Sequence, residues 1–124
     1  MAQVMPQIRR EQAIQRAVLQ HLVEVRAAPD TYWFHVGNGG WRSPVEAKVF
    51  KSLGVRPGVP DLILIRDGRV FGLELKSEQG KLTPVQATAH ALMRAAGAEV
   101  AVTSGVDASI RQLEAWGLLR ARSQ

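Results

Sequence analysis

Two acidic residues and a lysine in the middle of the chain have the types and spacing that metal chemistry needs. Asp61 opens a short apolar run, and Glu74 and Lys76 form a Glu-x-Lys pattern further along. Carboxylates placed side by side repel each other, and a divalent cation that binds both removes the repulsion. Mg²⁺ prefers oxygen ligands and commonly uses one or two carboxylates, so Asp61 and Glu74 are candidate metal ligands. The fold must then bring the two acids and the lysine together.

A predicted β-hairpin meets this requirement. Leu62-Ile63-Leu64-Ile65 is an apolar run typical of a buried strand, and Asp67-Gly68 is a two-residue turn. The return strand covers residues 69 to 76. Such a turn fixes the register, because it pairs Arg66 with Arg69 and every other pair follows by counting back.

This register places Asp61 directly opposite Glu74 on one face of the sheet. Lys76 returns to the same face because side chains alternate along a strand. Gly72 also belongs to this face, where its missing side chain leaves space for a neighbouring backbone or a substrate. The opposite face carries apolar side chains that suit a core: Phe71, Leu73 and Leu75.

Each residue alone has a plainer interpretation. Asp61 could cap a turn after Pro60, and Glu74 and Lys76 could be the exposed polar face of a strand, since such residues are mostly exposed. The occurrence of all three at matched positions favours a site.

Hydrophobic periodicity, capping residues and glycines predict the other elements. They are a helix over residues 8 to 26, a strand over 32 to 36, a helix from Ser43-Pro44 to Gly54, a helix from Thr83-Pro84 to Gly97, a strand over 99 to 103, and a helix from about Asp107 to Gly117. Val45, Val49 and Leu53 give the second helix an apolar stripe. The predicted order is α-β-α-β-β-α-β-α, an α/β fold with one mixed sheet.

Length and composition predict one domain over residues 1–124, with 46% hydrophobic and 22% charged residues. No apolar run approaches the roughly 20 residues that cross a bilayer, and the N-terminus lacks a secretory signal, so we expect a cytoplasmic protein. The chain has no cysteine, which excludes thiolate nucleophiles and cysteine zinc sites. Any metal must be bound by oxygen or imidazole.

The charge balance is basic, with 16 Lys and Arg against 11 Asp and Glu. This excess suits a polyanionic partner. Charge alone does not separate a nucleic-acid-binding surface from an ordinary soluble one.

The motifs together resemble a known family. Val59-Pro60-Asp61 followed by Glu74-Leu75-Lys76 is similar to the motif of the PD-(D/E)XK nuclease superfamily. The wider set resembles the VRR-NUC branch, in the compact stand-alone form of phages and bacteria: Glu11, Asn38-Gly39-Gly40, Gly58-Val59-Pro60-Asp61 and Lys81-Leu82-Thr83-Pro84-Val85-Gln86. The resemblance covers about residues 8 to 118. It implies a restriction-endonuclease-like mixed β-sheet flanked by α-helices.

The resemblance also implies an Mg²⁺-dependent endodeoxyribonuclease, in which Mn²⁺ would substitute. It adds the backbone carbonyl of Leu75 to the metal ligands Asp61 and Glu74, and it assigns to Lys76 the orientation or activation of the attacking water. Glu11 would contact the metal through water, although an acid in the first turn of a helix could simply complement the helix dipole. Gln86 would lie at the edge of the site, although it also suits a capping box. One or two metal ions are compatible with this set.

A basic cluster on and around the second helix could contact phosphates or could be a solvated face: Arg42, Lys48, Lys51 and Arg56. Lys81, from the family motif, is a further candidate for DNA contact. His35 and Asn38 could meet the substrate, although a histidine on a strand is more often structural. His21 and His90 have no metal-ligand spacing, and we expect both to be structural or surface residues.

Substrate choice follows from the resemblance alone. Stand-alone members resemble junction-resolving enzymes, which implies a homodimer that cuts four-way (Holliday) junctions in a bacterial or phage-infected cell. One alternative is a nuclease acting on flap, nicked or linear DNA. The other is a non-catalytic DNA-binding module on the same fold.

Overall fold

The computed structural model describes residues 4–37 and 43–120. Its elements are α1 (Val4–His21), which continues as a π-helical turn (Leu22–Arg26), β1 (Tyr32–His35), α2 (Pro44–Ser52), β2 (Leu62–Arg66), β3 (Arg69–Lys76), α3 (Pro84–Ala95), β4 (Glu99–Ser104) and α4 (Val106–Ala115). The order confirms the predicted α-β-α-β-β-α-β-α fold. The first helix begins earlier than predicted, at Val4.

The four strands form one mixed sheet in the order β1-β2-β3-β4. The β1–β2 and β2–β3 pairs are antiparallel, and the β3–β4 pair is parallel. Arg66 pairs with Arg69 and Ile63 with Gly72, so the predicted hairpin register is confirmed. Asp67 and Gly68 both have positive φ, 52° and 73°, as a type I′ turn requires.

The hydrophobic core lies on one face of the sheet, beneath α1 and α4. Phe71, Leu73 and Leu75 point into it from β3, as predicted, and each buried side chain of this size contributes about 2 kcal/mol. Ile110 and Leu113 cover them from α4. The candidate acids therefore point away from the core, on the face that α3 covers.

Pro60 packs against β3 at Gly72. A Cβ atom at Gly72 would lie only 2.7 Å from Cγ of Pro60 and 3.4 Å from Cε of Met93. The space predicted at this glycine is therefore filled by the proline ring and the methionine. This contact holds the chain immediately before Asp61 against the strand that carries Glu74.

The predicted N-caps of α2 and α3 are present, and the capping box is seen at α3. The Ser43 hydroxyl accepts a hydrogen bond from the backbone N–H of Glu46. Thr83 and Gln86 form a reciprocal capping box, and proline occupies the first turn of each helix. The starts of α2 and α3 are thus set by local sequence.

The apolar stripe of α2 is exposed. Val45, Val49 and Leu53 all face solvent, and α2 has no buried residue. Within the part of the chain that the structure describes, no helix is long and apolar enough to cross a membrane.

We expect Gly58→Ala to destabilise the protein more than Gly54→Ala. Both glycines have positive φ, which costs an alanine about 1–2 kcal/mol. A Cβ at Gly58 would also lie 2.5 Å from the carbonyl oxygen of Val85, at the start of α3, whereas one at Gly54 meets nothing within 4 Å. Overpacking of this kind adds about 1–3 kcal/mol. Urea unfolding measures both changes, and equal losses would contradict the contact with α3.

Candidate active site

The two candidate acids meet where β3 extends beyond β2. The last β2–β3 pair is Leu62 with Leu73, so Leu75 has no partner on β2. Its backbone N–H instead donates to Oδ2 of Asp61, over 2.8 Å. The Asp61 carboxyl also lies close enough to that of Glu74 to raise the pKa of the Glu74 carboxyl. The acids therefore share one side of the hairpin, as the register predicted.

The backbone of Asp61 is fixed from β1. Its carbonyl accepts hydrogen bonds from the backbone N–H of Val36 over 3.0 Å and from Nδ1 of His35 over 2.9 Å. The structure thus brings His35 to the site. Its observed contact is with the Asp61 backbone.

Glu74 is buried, with only 3% of its surface exposed. Burial raises the pKa of its carboxyl to about 9, and the neighbouring Asp61 carboxyl acts in the same direction. The Lys76 ammonium, 4.0 Å away, opposes the shift. Ionised Glu74 therefore needs more positive charge than Lys76 supplies, because the interior does not solvate it.

Lys76 is held by α3. Its Nζ donates to Oε1 of Gln86 over 2.9 Å, and the same oxygen accepts from the backbone N–H of Thr83 over 3.0 Å. Nε2 of Gln86 lies 3.5 Å from Oε2 of Glu74. Gln86 is therefore both a capping-box residue and a neighbour of the acid and the lysine, so the two interpretations of this residue are compatible.

Glu11 reaches the site from α1. The helix starts at Val4, so Glu11 lies beyond the first turn and the helix-dipole interpretation is wrong. Its Oε2 accepts a hydrogen bond from the backbone N–H of Ser77, over 3.3 Å. A Cβ at Gly80 would lie 2.5 Å from this oxygen. The glycine makes room for the contact between α1 and the loop that follows Lys76.

A cleft of about 550 Å³ opens beside Asp61 and Glu11. Asp61 and Leu75 line it together with polar residues of α1 and the end of β1: Glu11, Gln12, Gln15, Arg16 and His35. A ligand in this cleft would have access to both Asp61 and the backbone near Leu75.

His90 belongs to the site, although the sequence interpretation gave it only a structural or surface role. The side chain is completely buried on α3, and Nε2 lies 3.2 Å from Oε1 of Glu74. Burial lowers the pKa of the imidazole, and the cations of Arg94 and Lys76 lower it further. The sequence contained one indication of this position: His90 lies four residues after Gln86, which places both side chains on one face of the helix. His21 is exposed, as expected.

The predicted basic DNA contacts lie outside the acid cluster. Lys48 and Lys51 are exposed on α2, and Arg56 and Lys81 are exposed on loops. Asn38 and Arg42 lie outside the described residues. The structure therefore brings together Asp61, Glu74, Leu75, Lys76, Gln86, Glu11 and His35 from the predicted set.

We expect Glu74→Gln to stabilise the metal-free protein increasingly as pH rises. The folded pKa of about 9 lies above the ordinary value of 4.5, so the folded protein keeps a proton that the unfolded chain has lost. Glu74 makes its full contribution to stability below the ordinary pKa of 4.5, and this contribution is lost as the pH rises toward the folded pKa of about 9. The glutamine amide does not titrate, so the variant does not undergo this loss. Unfolding in EDTA, near pH 4.5 and near pH 9, measures the difference in free energy of unfolding between the variant and the parent. The exposed Glu78→Gln is the control, and parallel curves for Glu74→Gln and the parent would contradict the burial argument.

Comparison with known proteins points to one family. The sequence matches no protein-family model and no curated protein. A solved structure titled "VRR_NUC domain protein" superposes with a TM-score of 0.68 at 25% identity, covering 90% of this chain and 91% of that one. A second, titled "VRR_NUC domain", gives 0.56 at 21% identity over 86% and 95%, and it shows the shared fold. The chain therefore has the nuclease-type α/β fold of these VRR-NUC domain proteins, as its motifs predicted.

Proposed function

We propose that this protein is a metal-dependent endonuclease that hydrolyses DNA phosphodiester bonds, using Mg²⁺ or, in its place, Mn²⁺. One observation carries the proposal: the carboxyl of Glu74 is buried beside that of Asp61, and the Lys76 ammonium lies 4.0 Å from Glu74. Such a cluster is unfavourable for folding, so a functional reason is needed for its presence.

The donor set suits a hard divalent cation. Within residues 4–37 and 43–120, no three His, Cys, Asp or Glu side chains form a metal cluster. Mg²⁺ does not require one, because it commonly binds one or two carboxylates and keeps several waters. In a β-strand, the N–H and C=O groups of one residue point to the same side. The Leu75 N–H donates a hydrogen bond to Asp61, so the Leu75 carbonyl also faces the side on which Asp61 lies. Asp61, Glu74 and the Leu75 carbonyl would bind the ion.

The cation, Lys76 and Glu11 would each have a separate role in the reaction. A bound cation would polarise the phosphate and lower the pKa of the attacking water. The Lys76 ammonium, which donates to Gln86, would orient that water and offset charge on the phosphate. Glu11, anchored on the Ser77 N–H, would contact the ion's waters from the α1 side of the cleft.

DNA is the substrate class that the surface charge favours. The chain carries a formal net charge of +5. Lys48 and Lys51 on α2, with Arg56 and Lys81 on loops, are exposed and would contact phosphates.

Asp61→Asn and Lys76→Met should each lower the cleavage rate at least about 100-fold, because each removes a charge from the reaction centre. DNA binding, measured in EDTA, should change little. Asp107→Asn, an exposed acid at the start of α4, is the matched control and should cleave normally. Cleavage by Asp61→Asn at the parent rate would exclude the proposed site. Equal loss of binding and cleavage would indicate misfolding or a module that only binds DNA.

We also propose that the protein acts as a homodimer on four-way junctions. The exposed apolar stripe of α2, formed by Val45, Val49 and Leu53, supports association with a second copy, since such a stripe is unfavourable in water. It adjoins an apolar cavity of about 490 Å³ that Phe50 and Met93 help to line. A two-fold dimer would present two equivalent sites to the two equivalent strands of a junction.

Val49→Glu should convert the dimer into a monomer and reduce junction cleavage, because it places a charge in the apolar stripe. Light scattering after gel filtration measures the mass. Val23→Glu is the matched control, since Val23 is also an exposed valine but lies outside the stripe. A monomeric parent protein would contradict the dimer.

Labelled four-way, flap, nicked and linear DNAs, each incubated with Mg²⁺, Mn²⁺ or EDTA, test the substrate. We expect junction cleavage with either metal and none in EDTA. Equal cleavage of all four DNAs would favour a nuclease without junction selectivity.

A further inference from the structure

We propose that His90 is a positioning residue of the metal site: its Nε2–H donates to Glu74 and holds the carboxylate in the orientation that binds the ion. The inference rests on the proposed function, because Glu74 must be a metal ligand. It adds to the site a residue outside the acid-acid-lysine motif, from a helix on the other side of the sheet from the core.

The contacts of Glu74 divide between its two oxygens. Gln86 and Lys76 both approach Oε2, at 3.5 Å and 4.0 Å, which are long distances for hydrogen bonds. His90 contacts the other oxygen, Oε1, at 3.2 Å. His90 therefore makes the shortest of these three contacts, and it restrains the oxygen that Gln86 and Lys76 do not approach.

The donor in this contact must be the histidine when Glu74 is ionised, because a carboxylate can only accept. The other ring nitrogen, Nδ1, is buried and has no hydrogen-bond partner in the described part of the chain. A proton on Nδ1 would leave a buried N–H without an acceptor, which is rare. A proton on Nε2 satisfies both His90 and Glu74.

The position of His90 is fixed by α3. The capping box of Thr83 and Gln86 sets the start of the helix, and Gly58 packs closely against it. Gln86 and His90 lie one turn apart, so one helical face holds Lys76 through the first and Glu74 through the second. Hydrogen bonds of this kind to ligating side chains typically change metal affinity 10–100-fold.

His90→Leu and His90→Gln separate positioning from packing. Leucine fills much of the space without a donor, and glutamine retains an N–H that can reach Glu74. We expect His90→Leu to bind Mn²⁺ about 10–100-fold more weakly, measured by electron paramagnetic resonance without DNA, and His90→Gln to recover most of the affinity. Raised Mg²⁺ should restore cleavage by His90→Leu with the KM for DNA unchanged.

Thr103→Val is the matched control. It removes a buried hydroxyl that contacts Ser109 on the face of the sheet opposite to Glu74, and the variant should bind Mn²⁺ like the parent. Unchanged Mn²⁺ affinity in His90→Leu would overturn the inference while leaving the proposed function intact. A parent protein that binds no Mn²⁺ would overturn both.

A second measurement uses the parent protein and needs no variant. Nitrogen-15 NMR of the imidazole identifies which ring nitrogen carries the proton. We expect the proton on Nε2 in the presence of Mg²⁺. A proton on Nδ1 alone would overturn the inference, since Nε2 could not then donate.

Discussion

The structure depends on holding two carboxylates side by side where β3 extends beyond β2. Asp61 and Glu74 repel when ionised, and burial makes the charge on Glu74 more unfavourable still. Several features enforce this arrangement. The type I′ turn fixes the register, Pro60 packs into the space at Gly72, and the Leu75 N–H anchors Asp61. The rest of the fold offsets this local instability.

One face of the sheet carries the hydrophobic core, and the other carries the polar candidate site. Beneath α1 and α4, leucine and phenylalanine side chains from β2 and β3 form the core that stabilises the domain. On the other face, α3 contributes polar partners for Glu74 and Lys76. Glu11 of α1 reaches the loop after β3, so helices on both faces converge on the end of one strand. This convergence brings the candidate site residues together within a small domain.

Features set by neighbours in sequence were predictable, and features set by packing were not. Asp67-Gly68 determined the hairpin register, and Thr83 and Gln86 determined the start of α3, because turns and caps are local. The burial of His90 and the contact of Glu11 with Ser77 depend on how helices dock on the sheet. The sequence predicted the apolar stripe on α2 but did not predict that the stripe is exposed. Periodicity alone does not show whether an apolar helix face packs against a partner.

The proposed site requires Asp61 and Glu74 to share a divalent cation. Crystals soaked in Mn²⁺ and measured near the manganese absorption edge test it most directly, because anomalous scattering locates the ion without assumptions about activity. We expect a peak bound by Asp61, Glu74 and the carbonyl of Leu75. Ordered carboxyl groups with no peak between them, or pointing to opposite sides of the hairpin, would contradict the account.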